Sequence, residues 1–71
     1  MITTTREDEL NRIIIENVSE VLKTEKNHVV EEVIEVEASS KQIRMVYKER
    51  KSKAHWAVEL TPETISVLRL N

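Results

Sequence analysis

Ile43-Arg44-Met45-Val46-Tyr47-Lys48, Glu49-Arg50-Lys51-Ser52-Lys53 and Ala54-His55-Trp56-Ala57-Val58-Glu59-Leu60 follow one another in the middle of the chain, and their pattern decides the fold. Ile43, Met45 and Tyr47 alternate with Arg44, Val46 and Lys48, and Trp56, Val58 and Leu60 alternate with His55, Ala57 and Glu59. A repeat of two residues belongs to a pleated strand with one face in a core and the other toward water. The polar residues 49–53 suit the connection between two such strands, expected over 42–48 and 54–60.

Working upstream, residues 29–38 read Val-Val-Glu-Glu-Val-Ile-Glu-Val-Glu-Ala, rich in β-branched side chains and close to the same alternation. With Ala38-Ser39-Ser40-Lys41 as a polar turn, the three runs predict an antiparallel meander. Regular alternation turns Val30, Ile34, Val36, Ile43, Met45, Tyr47, Trp56, Val58 and Leu60 to one face and Val33, Val46 and Ala57 to the other. Further upstream, after a polar lead-in over residues 1–5, Leu10, Ile14, Val18, Val21 and Leu22 fall on one side of a helix, flanked by Ile13 and Ile15. Thr4 or Thr5 serves as its cap, acids at 7, 8 and 9 suit its positive end, and Lys23, Lys26 and Asn27 mark a stop, giving a helix over 7–26.

Downstream, Thr61-Pro62-Glu63 has the form of a helix opening: a capping hydroxyl, a proline in the first helical position, then an acid. A short helix is expected over 62–69; the competing reading is a fourth strand, because Thr64, Ile65 and Val67 are β-branched. The fold class expected is α+β within one domain, 1–71: an N-terminal helix, a three-stranded antiparallel meander and a short C-terminal helix (αβββα), with the helices on one sheet face.

Composition narrows the function. At 71 residues and 8.3 kDa the chain sits where a single core supplies only a few kcal/mol. Such small folds are stapled by disulfides, a structural metal or oligomerisation; with no cysteine the first is impossible, which tilts expectation toward self-association. It has no glycine, which removes the phosphate-cradling loops of nucleotide-binding proteins and leaves the turns to Ser, Asn, Lys and Asp. No apolar run approaches a membrane span and the N-terminus lacks the charge and apolar core of an export signal, so a cytoplasmic location is expected.

Charge is blocked along the chain: residues 1–40 carry −6, residues 41–53 carry +5 and residues 54–71 carry −1. Facing strands place Glu31, Glu35 and Glu37 toward Arg44 and Lys48, a ladder of opposite charges that stabilises a sheet by about 0.2 to 1 kcal/mol per pair. Arg50, Lys51 and Lys53, in the connection beyond the first strand, are expected to stay unpaired. With Arg44 and Lys48 they are the candidate nucleic-acid contacts, able to track a phosphate backbone. Glu31, Glu35 and Glu37, spaced like phosphates, offer the opposite reading, an acidic surface that occupies another protein's nucleic-acid groove.

His28 and His55 are the only histidines. His28 beside Glu31 and Glu32, or His55 beside Glu59, falls short of the three converging ligands of a catalytic zinc site, and no acid–base or nucleophilic constellation stands out, so no catalysis, cofactor or metal is expected. Tyr47 and Trp56, on inward positions, read as core anchors. Val33, Val46, Ala57 and Ile15 are apolar groups beyond what one face needs and form the candidate partner interface. The expected function is a small protein–protein interaction or regulatory module, homodimeric and binding another protein or itself. Nucleic-acid binding through 41–53 is the alternative and acidic mimicry the second alternative.

Overall fold

The pleated pattern of the middle segment is realised in a computed structural model that describes residues 5–71, with side chains from Glu9 onward. Helix α1 (Thr5–Val21) is continued by one wider, π-type turn (Leu22–Lys26), and strands β1 (Val30–Ala38), β2 (Ile43–Glu49), β3 (His55–Leu60) and β4 (Ile65–Arg69) come after it. The four strands form one antiparallel sheet in sequence order. α1 begins at Thr5, earlier than the expected 7, so the last residue of the polar lead-in expected over 1–5 is helical; residues 1–4, with Thr4 as a cap, lie outside the described residues.

The C-terminal helix expected over 62–69 is a strand, and the sheet has four strands where three were expected. The cause is local chemistry shared by two structures. Thr61 Oγ1 accepts the N–H groups of Glu63 at 3.3 Å and Thr64 at 3.0 Å, as an N-cap does. Here, however, the chain reverses, with Thr61 N–H donating to Thr64 O at 2.9 Å. A threonine hydroxyl followed by proline closes a tight turn as readily as it opens a helix. Beyond it, Ile65 pairs with Leu60 and Val67 with Val58, so β-branched side chains add to an existing core face.

The helix stops at Asn27, whose backbone is left-handed (φ 57°) and whose N–H donates to Leu22 O; His28 N–H donates to the same oxygen at 3.0 Å. In a chain without glycine, asparagine is the residue best suited to this conformation. The first turn between strands is closed by Ser39, whose hydroxyl accepts the N–H groups of Lys41 and Gln42, both at 3.2 Å.

α1 lies on one face of the sheet. Val18 and Leu22 from the helical segment, Met45 and Tyr47 from β2 and Val58 from β3 form the buried centre, with Ile14, Ile15, Val30, Val33, Val36, Ile43, Trp56, Leu60, Ile65 and Val67 packed around it. In β1 the inward residues Val30, Val33 and Val36 stand three apart, not two. The register slips between Val30 and Glu32 and again between Val33 and Glu35, leaving Glu31 and Ile34 without partners on β2. Each slip is a bulge that inserts a residue and reverses the facing of the strand beyond it. Val33, expected outward, therefore packs in the core, and Ile34, expected inward, is 49% exposed.

Candidate partner interface

The face of the sheet away from α1 carries a row that crosses all four strands. Val46 is in register with Glu35 of β1, next to the inserted Ile34, and with Ala57 of β3, which in turn is in register with Leu68 of β4. Val46 and Ala57, at the centre, are buried, whereas the ends of the row are open: Ile34 is 49% and Leu68 65% exposed. Arg44, Ala57, Glu59, Ser66, Val67 and Leu68 line a shallow hollow of about 320 Å³ at the β4 end.

Charged rows run on both sides. Glu37, Arg44, Glu59 and Ser66 are register partners in succession, and Arg44 Nε lies 3.6 Å from Glu59 Oε2. On the other side Glu32 faces Lys48, which faces His55. An apolar strip between mixed-sign rows has the layout of a recognition surface, with a dry centre and a polar rim.

The four expected interface residues do not form one patch. Val46 and Ala57 are neighbours on this outer face and form its floor, while Val33 and Ile15 pack on the opposite side against the core. Along this row Ile34 and Leu68 replace them as exposed apolar groups; Leu10, Ile13 and Leu70 are exposed elsewhere. Leu68 would have been found by reading 65–69 as a strand, where it alternates with Val67; nothing in the sequence of β1 announces the bulge that exposes Ile34.

The basic candidates are also divided. Arg44 and Lys48 lie on the outer face, and Arg50, Lys51 and Lys53 lie in or beside the β2–β3 connection. Lys53, expected unpaired, donates from Nζ to Glu31 Oε1 at 3.0 Å, because the β1 bulge leaves Glu31 free of register; that contact holds the Glu31 carboxyl below its ordinary value. The slip also breaks the even spacing of Glu31, Glu35 and Glu37 expected of an unbroken strand. Arg44 is ion-paired to β3, so the cross-strand ladder runs to Glu59 as well as toward β1.

The connection is built around Glu49. Its side chain is buried under the loop, with Oε1 accepting the Ser52 N–H at 2.8 Å. Glu49 N–H donates to Ala54 O and its own carbonyl accepts from Lys53 N–H, both at 2.9 Å, with Lys53 left-handed at φ 59°. The Ser52 N–H lowers the Glu49 carboxyl to about 2; burial opposes this, and the Lys51 N–H adds to it. Beside it, Tyr47 Oη and His28 Nδ1 share a hydrogen bond of 2.8 Å, and His28 stands edge-on to Trp56 at 4.6 Å between ring centres. Burial, then the Glu49 charge, pushes the Tyr47 hydroxyl up to about 12. His28 is thus a structural partner of two core aromatics, and His55 lies at the sheet end beside Asn71, whose Oδ1 accepts the His55 main-chain N–H at 2.9 Å. Among the described residues no three His, Asp or Glu side chains converge as metal ligands, and no helix is long and apolar enough to cross a membrane. Comparisons of the chain with protein-family models, with curated proteins and with solved structures return no match.

Proposed function

We propose that this protein is a small interaction or regulatory module that works by surface complementarity, without catalysis, and that the outer face of its sheet is the surface it presents. The row Ile34–Val46–Ala57–Leu68 carries this reading: the face opposite the helix has no second layer among the described residues, yet it holds aliphatic side chains at both ends of a strip bordered by charge. Contiguous apolar groups rimmed by polar ones are characteristic of surfaces that meet another protein. Binding of nucleic acid through 41–53 has less support, because Arg44 and Lys53 are each committed to a glutamate.

A photoreactive side chain placed at Ile34 or Leu68 in the producing cell should give a single defined adduct, to another protein or to a second copy, whereas the same group at Lys23 on the helical segment should not. Equal labelling from both faces, or none from the outer one, would refute the assignment. A titration with fluorescent oligonucleotides at low salt tests the competitor, whose phosphate contacts are strongest there.

A further inference from the structure

β4 is an edge of the sheet, and among the described residues no strand pairs with its outer side. The hydrogen bonds fix which peptide groups it leaves open. Thr61 N–H donates to Thr64 O at 2.9 Å and Leu70 N–H to His55 O at 2.7 Å. Antiparallel pairs alternate between bonded and non-bonded, so Glu59–Ser66 and Ala57–Leu68 are the bonded pairs of the β3–β4 register. The N–H and C=O groups of Ile65, Val67 and Arg69 therefore point to the open edge.

The other edge is guarded. β1 is interrupted by two register shifts and exposes Glu31, Glu32, Glu35 and Glu37, and bulges and charges are the devices that keep an edge strand from pairing. β4 has an unbroken register, a single charged residue in Arg69, and neighbouring leucines that stand in water, Leu68 at 65% and Leu70 at 45% exposure.

We infer that β4 pairs antiparallel with β4 of a second copy, about a two-fold axis at Val67, joining two four-stranded sheets into one. A second copy is the occupant because the strand complements itself. In this register Val67 meets Val67 of the partner subunit and Ile65 meets Arg69 of the partner subunit, so every open peptide group of the strand exchanges bonds in both directions. The charges agree: the two Arg69 side chains, the charged groups of the paired strands, stand four residues apart, about 13 Å. On the outer face Leu68 meets Ser66 of the partner subunit, the end of its charged row, and the two Leu68 side chains are diagonal neighbours across the axis. The guarded β1 edge closes the assembly at two, since pairing β1 to β4 would add copies head to tail without end.

This inference rests on the proposed interaction role and names its partner. Sedimentation from micromolar to millimolar protein should show a dimer, and hydrogen exchange should show the amides of Ile65, Val67 and Arg69 becoming protected as the dimer forms. Arg69→Pro removes an edge-facing N–H that the β3 pairing does not use, and should raise the dimer dissociation constant about tenfold or more with the fold retained. A chain monomeric at millimolar concentration would overturn the inference. So would a dimer whose 65, 67 and 69 amides exchange freely, which leaves the outer-face reading standing because crosslinks at Ile34 judge it separately. Should Arg69→Pro fail to fold, exchange in the unaltered chain decides.

Discussion

Glu49 is the residue on which the β2–β3 connection depends. Its carboxylate lies under the loop, accepts the Ser52 N–H, and has a second oxygen that is buried without a partner among the described residues. With a folded pKa near 2 against 4.5 for the free group, the carboxylate stabilises the fold fully above about pH 4.5, and this stabilisation is lost as pH falls toward 2. Urea midpoints should therefore drop between pH 5 and pH 2, and Glu49→Gln should flatten that part of the profile while lowering stability near neutrality by roughly 1–3 kcal/mol. An unchanged acid slope in the variant would move the sensitivity to another carboxylate. The same scale governs Asn27 and Lys53, the described residues with left-handed backbone. Asn27→Ala should cost about 1 kcal/mol in thermal or urea unfolding, whereas Asn27→Gly should stay within a few tenths.

Among the elements, β2 and β3 were legible because Met45, Tyr47, Trp56 and Val58 alternate without interruption and the structure keeps that period. α1 was legible from the spacing of Ile14, Val18 and Leu22, which reach the core together. β4 was not, because the Thr61 hydroxyl makes the same N–H contacts in a turn as in a helix cap, and the deciding contacts, Leu60 with Ile65 and Val58 with Val67, are tertiary. Thr61→Ala should lose roughly 0.5–2 kcal/mol through those contacts, visible in the urea midpoint without loss of the fold. In β1 the bulges invert what alternation implies, and a pair of substitutions measures this. Val33→Asp places a charge in the core and should cost about 3 kcal/mol or more. Ile34→Asp, one residue along, should change stability by no more than about 0.5 kcal/mol. The reverse order, with Ile34→Asp the costlier, would mean that β1 pairs in an unbroken register.

At the scale of the whole molecule, half of the candidate site was visible in advance and half was not, for one physical reason. Val46 and Ala57 lie on the two strands whose period survives, whereas Ile34 and Leu68 depend on a bulge and on a fourth strand that only the assembled sheet determines. Among the described residues, one helix covers one sheet face and nothing covers the other, so stability rests on a small core. Leu22 is fully buried in that core. Leu22→Ala should cost about 2–5 kcal/mol, comparable with the entire stability of a domain this size. At micromolar concentration the variant should be largely unfolded near room temperature. If two copies join through β4, mass action favours the folded form as concentration rises. Thermal scans of Leu22→Ala should then show a midpoint that climbs by several degrees from micromolar to millimolar protein, and the climb should shrink when Arg69→Pro is added. A midpoint indifferent to concentration in both would mean that the folded chain gains nothing from its own copies, and that the aliphatic row serves a different protein.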